Sequence, residues 1–185
     1  MSTTIRAFVA VRVPASPALR DVLEELGQMG RPIKPVDSDH LHVTLRFLGE
    51  THEYWIHRLR DFLDLVSAQT DSFDIKLRGL GAFPKPSYSS VIWAGIAHEK
   101  PIVQLAELTE NTMMECGFAA GSRPFKPHVT LARVKARPPS RLAALLRAHP
   151  DTEFGSLRVQ EIILMQSQLS PEGPTYTPLH TFPLV

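Results

Sequence analysis

The sequence predicts an α+β fold: two similar lobes of largely antiparallel sheet, with helices on the outer faces and a central cleft between them. Three observations carry this reading. Strand-like alternation of apolar and polar residues recurs along the 185-residue chain, helical apolar stripes fall between the alternating segments, and the tetrapeptide His-Val-Thr-Leu occurs twice, once in each half. No low-complexity linker separates the halves, so residues 1–185 read as a single bilobal domain.

The elements follow in order. Ile5, Ala7, Val9, Val11 and Val13 share one face of a strand, with Arg6, Phe8, Ala10 and Arg12 on the other. Ser16 and Pro17 read as the N-cap and first position of a helix whose Leu19, Val22, Leu23 and Leu26 recur at helical spacing, with Gly30 as its stop. A second strand covers His40 to Leu48. Thr51 is placed to cap a helix striped by Trp55, Leu59, Phe62, Leu63 and Val66. Strands fit Phe73 to Leu80 and Val91 to Ile96, joined by a proline-rich loop "FPKPSYSS". In the second half a helix from Pro101 to Cys116 precedes a strand from His128 to Val134. A short helix starts near Ser140, and strands at 154–159, 162–169 and 175–183 follow, the last two joined by a turn at "SPEGPT".

Composition narrows the function classes. Hydrophobic residues at 43% and charged residues at 21% fit a soluble globular protein, and no apolar run is long enough to span a bilayer. The first residues, interrupted by Arg6 and Arg12, do not form a secretory signal, and the lone Cys116 allows no internal disulfide; a cytoplasmic protein is expected. Cys116 sits in apolar "MMECGFAAG" and reads as a buried structural residue rather than a nucleophile. The net charge of +1 conceals an asymmetry. From Gly117 to His149 there is no acidic residue, whereas Arg123, Lys126, Arg133, Lys135, Arg137, Arg141 and Arg147 all fall there, around the second motif. This suits an anionic ligand as well as it suits a solvated basic face.

Strand parity gives the repeated motif a chemical sense. In "HLHVTLRF", Leu41, Val43, Leu45 and Phe47 point one way and His40, His42, Thr44 and Arg46 the other; His128 and Thr130 likewise oppose Val129 and Leu131. Two lobes facing each other would bring two imidazoles and two hydroxyls into one cleft. Imidazole removes or delivers a proton near neutral pH, and a hydroxyl two residues on can hold an oxygen that gains charge in the transition state. A phosphodiester suits the set: one histidine activates water, the other protonates the departing oxygen, and Thr44 and Thr130 hold the non-bridging oxygens.

The paired His-x-Thr motifs resemble those of the 2H phosphoesterase superfamily, and within it the chain is similar to the RNA 2',3'-cyclic phosphodiesterases, also called 2'-5' RNA ligases. "RAFVAVRVP", "LHVTLRFLGE", "GLGAFPKPSYSSVIWAG", "FKPHVTLARV" and "LMQSQLSPEGPTYTPLHTFPL" carry the likeness over nearly the whole chain. It implies hydrolysis of RNA 2',3'-cyclic phosphate termini to a 2'-phosphate without metal or other cofactor, and reversible 2'-5' joining of RNA. It implies that His42 donates the proton to the leaving 3' oxygen, that His128 is the base, and that Thr44 and Thr130 bind phosphate. It adds two substrate-binding candidates: Phe8, on the open face by parity and near the nucleobase in relatives, and Arg133. Strict alternation turns Arg133 away with Val129 and Leu131, so either the strand bulges after Thr130 or Arg133 is a surface residue. The segment "RPIKPVDSDH" departs from relatives that carry an aromatic there, which bears on substrate preference. A monomer acting on RNA, away from membranes, is expected.

Two rivals stand beside this reading. A zinc hydrolase could use His40, His42 and His128 as ligands, although no carboxylate or cysteine has ligand-like spacing nearby. A non-catalytic RNA-binding module could use the basic stretch alone. Neither G-x-S-x-G nor a P-loop occurs.

Overall fold

A computed structural model describes residues 3–85, 88–170 and 173–185. The strands are β1 (Thr4–Arg12), β2 (Ile33–Pro35), β3 (His42–His52), β4 (Phe73–Lys85), β5 (Tyr88–Ala97), β6 (His128–Val134), β7 (Glu153–Val159), β8 (Glu161–Ser170) and β9 (Gly173–Pro183). The helices are α1 (Pro17–Gly27), α2 (Trp55–Ala68), α3 (Lys100–Glu115) and α4 (Ser140–Ala148), and a 3-10 turn, Ser38–His40, leads into β3. All strand pairings are antiparallel.

Two sheets result, a four-stranded one in the order β3-β1-β8-β9 and a five-stranded one in the order β2-β6-β5-β4-β7. The fold is the α+β, two-lobed arrangement expected, but the lobes are not the two halves of the sequence. Both chain ends contribute to the first sheet, and the middle of the chain builds the second. The helices cross over as well: α1, encoded next to β1, packs on β2, β6 and β7, whereas α3, encoded next to β5, packs on β3 and α2. No single cut in the sequence separates the sheets, and one cluster of buried side chains runs through both, from Val9, Val43 and Leu63 to Ile92, Val129 and Leu142.

The ends of α1 show how local chemistry locks this exchange. Ser16 Oγ accepts from Leu19 N at 3.1 Å, as an N-cap should, and the same hydroxyl donates to the carbonyl of Phe154 in β7. The apolar stripe of α1 (Leu19, Val22, Leu23, Leu26) is buried against the second sheet.

Several expectations need correction. Thr51 does not cap α2. It lies inside β3, buried, with its hydroxyl on Gly49 O, and Tyr54 precedes the helix instead. The segment 83–90 is no open loop: Pro84 pairs with Ser89 and Lys85 with Tyr88, so β4 and β5 continue into a hairpin. Pro86 and Ser87 of that segment, and Pro171 and Glu172 of the turn expected at "SPEGPT", lie outside the described residues, although Ser170 does pair with Gly173. The short strand β2 had no alternating pattern to announce it; it is a three-residue edge strand ending on Pro35, where a missing N–H costs nothing.

The largest correction concerns side-chain direction in β3. Ala10 pairs with Thr44 but Val9 pairs with Arg46, so Leu45 is an extra residue opposite β1. The bulge inverts the alternation beyond it. Arg46 turns to the helix side, where it pairs with Glu110 of α3 at 2.6 Å, and Phe47, expected in the core, is 66% exposed.

Candidate active site

His42 begins β3 and His128 begins β6, the two strands that meet where the lobes join. Each histidine is half-buried and each is fixed by the same local bond. His42 Nδ1 lies 2.7 Å from the carbonyl of His40, and His128 Nδ1 lies 2.6 Å from the carbonyl of Lys126. A carbonyl only accepts, so Nδ1 carries the hydrogen in both rings, and Nε2 is left as the working nitrogen, basic when neutral and acidic when protonated. Two residues on, Thr44 and Thr130 share the face of their histidine, flanked by buried Val43, Leu45, Val129 and Leu131. Among the described residues neither threonine hydroxyl is engaged by another protein group, so both can reach a ligand.

The rings are braced by aromatic neighbours. His42 lies 5.2 Å from Phe8 and 5.0 Å from Tyr176, edge-on to the latter, while the His128 ring meets Phe83 at 5.1 Å in a T-shaped contact. Phe8 is where parity put it, on the open face of the first sheet and outside the main core. Yet at 2% exposure it is a floor under His42, Phe47 and Tyr176 rather than a free surface. Tyr176 and Phe83 escaped the sequence reading. Tyr176 lies in a closing strand with weak alternation, and Phe83 in a stretch read as loop.

Arg133 resolves as a second bulge. Trp93 pairs with Thr130 but Ile92 pairs with Ala132, so Leu131 is the extra residue. Leu131 and Ala132 are both buried, and Arg133, paired with Val91 and with Lys34, returns to the face of Trp93 and Thr130. The two motifs sense each other electrically. Burial holds the His42 imidazole below its usual pKa; the hydrogen bond to His40 O opposes this, and electrostatic interaction with His40, Arg133 and His128 reinforces it. His40 itself is exposed, edge-on to Tyr176 at 6.0 Å. The zinc arrangement of His40, His42 and His128 is not assembled: among the described residues no three His, Cys, Asp or Glu side chains form a metal-holding group. Cys116 is buried, and its thiol is pushed up by desolvation, which suits a structural role.

Two imidazoles tethered through Nδ1, two threonines and Arg133 thus stand on β3 and β6, strands that contact each other where the sheets meet. Comparison with known proteins identifies the family. Residues 10–170 match the 2'-5' RNA ligase superfamily. A protein of Archaeoglobus fulgidus named RNA 2',3'-cyclic phosphodiesterase is 36% identical over 180 residues, which covers 96% of this chain and 99% of that one. One of the same name from Methanothermobacter thermautotrophicus is 33% identical, over 97% and 99%. Among solved structures, TT0787 of Thermus thermophilus superposes with a TM-score of 0.83 at 32% identity, covering 97% of both chains. E. coli LigT complexed with 3'-AMP superposes at 0.77 with 26% identity, covering 99% of both. The chain belongs to the 2'-5' RNA ligase superfamily of 2H phosphoesterases.

Proposed function

We propose that the protein hydrolyses RNA ends bearing a 2',3'-cyclic phosphate to 2'-phosphate ends, by general acid–base catalysis without a metal. The observation that carries the reading is the matched pair His42 and His128: both tethered through Nδ1 to the carbonyl two residues back, both with a threonine beside them, and both opening strands that contact each other. Water attacks phosphorus as His128 Nε2 takes its proton. The P–O3' bond breaks as His42 Nε2 protonates the departing O3', and the phosphate stays on O2'. Each transfer contributes about 10²–10⁴-fold in rate. Thr44, Thr130 and Arg133 hold the non-bridging oxygens as negative charge gathers on them.

The lowered pKa of His42 means that the free site holds it mostly neutral near neutral pH. The anionic cyclic phosphate favours its protonated form once bound, so the donor is charged by the substrate it serves. The reverse of the same scheme, with an RNA hydroxyl in place of water, would join strands through a 2'-5' bond.

The test is an oligonucleotide ending in a 2',3'-cyclic phosphate, incubated with the protein in excess EDTA, followed by identification of the terminus. A 2'-phosphate is expected. A 3'-phosphate would reverse which bond the donor serves, activity lost to EDTA would bring back a metal, and an unchanged terminus would leave an RNA-binding module.

A further inference from the structure

Beside His42, on the open face of the first sheet, lies a cavity of about 250 Å³. Among the residues lining it, Ala10 and Ile163 are buried, Tyr176 and Pro178 come from β9, and Arg12 and Asp39 are exposed. We propose that this cavity seats the terminal nucleoside and that Arg12 binds the 5'-phosphate of that nucleotide, the group that joins it to the rest of an RNA chain. The proposal rests on the phosphodiesterase reading and narrows its substrate to a nucleotide phosphorylated at O5', as every 3' end of an RNA longer than one residue is.

Cross-strand register carries the argument. Arg12 is the direct partner of His42 in the β1–β3 ladder, so their Cβ atoms stand about 5 Å apart on one face. His42 addresses the phosphate on O2' and O3' of a ribose, and the next phosphate along the strand is separated from it by that single ribose. A long, forked side chain rooted next to His42 is therefore placed for that next phosphate. Arg12 is also uncommitted: it is exposed and, among the described residues, closes no ion pair, although Asp39 lines the same cavity. A guanidinium presents paired N–H donors to phosphate oxygens, and a charged contact of this kind is worth about tenfold in affinity. The apolar lining and the Tyr176 ring suit a nucleoside, and at about 250 Å³ the cavity is just smaller than the usual drug-sized ligand site, in keeping with a single nucleoside.

Two comparisons test this. The first is turnover of adenosine 2',3'-cyclic phosphate with and without a 5'-phosphate; the second is binding of adenosine 2',5'-bisphosphate against adenosine 2'-monophosphate. The 5'-phosphorylated member should be favoured by about tenfold in kcat/KM and in affinity. The preference should fall close to unity in Arg12→Gln and persist in part in Arg12→Lys. The ratio is the readout, because any change at Arg12 touches the neighbour of His42. A wild-type ratio near one, or an unaltered ratio in Arg12→Gln, overturns the proposal, and the wild-type result decides it even if a variant fails to fold. Absence of turnover together with a retained preference for the bisphosphate would sink the phosphodiesterase reading and leave the Arg12 site standing.

Discussion

Phe47 and Arg133 are structural counterparts: each stands five residues beyond the histidine of its motif, and each is brought to the open face by one extra leucine. Leu45 is that residue in β3 and Leu131 in β6. In an unbroken strand both positions would face the helices, because side chains alternate with a period of two. The bulge inverts the alternation at the same point in both copies, one residue after the threonine. The two lobes thus repeat a backbone device and fill it differently, with an exposed ring on one side and a guanidinium on the other. The guanidinium gives the second lobe a fixed positive charge where the first presents an apolar ring.

The paired histidines should fail together. His42→Ala and His128→Ala are each expected to lower turnover of a cyclic phosphate terminus by about 10²–10⁴-fold, with the double variant well short of the product of the two losses. Single-turnover kinetics with saturating enzyme measure this. Variants that retain more than a tenth of the wild-type rate would show that proton transfer does not pass through these rings.

Arg133 lowers the pKa of His42 by like charge, so Arg133→Ala should raise it. Burial remains as the larger depressing cause, so the rise should stop short of the ordinary imidazole value. The imidazole proton shifts of His42, followed by NMR against pH, read this directly. A titration that stays in place or moves to lower pH would mean that Arg133 points elsewhere.

Much of this site was legible in the sequence, and the reason is elementary. His42, Thr44, His128 and Thr130 lie before their bulges, where strict alternation still holds, so parity alone put them on the open face. Beyond the bulges parity misassigned Arg46 and Phe47 and left Arg133 in conflict, because an extra residue in a strand has no composition signal. The pairing of strands across the halves was also hidden. Local patterns mark β1, β3, β8 and β9 as strands, but which sheet each joins depends on contacts distant in sequence, and the crossing of α1 and α3 leaves no trace in their own residues.

His42 also makes stability depend on pH. Its folded-state pKa lies below 6.5, its ordinary value. Between those two values the unfolded chain takes up a proton that the folded chain refuses, so stability rises with pH across the window and is lost as pH falls from 6.5. Replacing His42 with Asn should flatten this acid-side slope in urea denaturation series run at stepped pH. A variant with the wild-type slope would place the effect in other groups.

The Arg46–Glu110 pair ties the approach to the second motif. Arg46 Nε lies 2.6 Å from Glu110 Oε2, with the two side chains only 12% and 29% exposed. Glu110 Oε1 also accepts from Gly121 N at 2.6 Å, and Arg46 donates to the carbonyl of Ala119. Glu110→Ala strips the guanidinium of its counter-charge and Gly121 of its acceptor, at a cost of about 2 kcal/mol once partial exposure is allowed for. Urea denaturation measures the loss, and a change under about 0.5 kcal/mol would class the pair with surface ion pairs of no consequence. Because the segment so held runs into His128, kcat should fall as well.

Gly81 leaves no space for a side chain. The Trp93 indole lies so close over it that a Cβ at residue 81 would sit 2.2 Å from Trp93 Cζ2. Gly81→Ala therefore forces the indole to move, and with it Phe83, whose ring is 5.1 Å from Trp93 and 5.1 Å from His128. Overpacking of this kind costs about 1–3 kcal/mol. The variant should lose thermal stability and slow the cyclic phosphate reaction. Gly27→Ala, whose added carbon would meet Pro35 Cγ at an ordinary 3.7 Å, should do neither. Adding Trp93→Leu to Gly81→Ala should recover part of the lost stability by clearing the ring from the new methyl. No recovery in the double variant would show that the strain lies in the backbone of β4 rather than in the indole, and that Trp93 does not transmit it to His128.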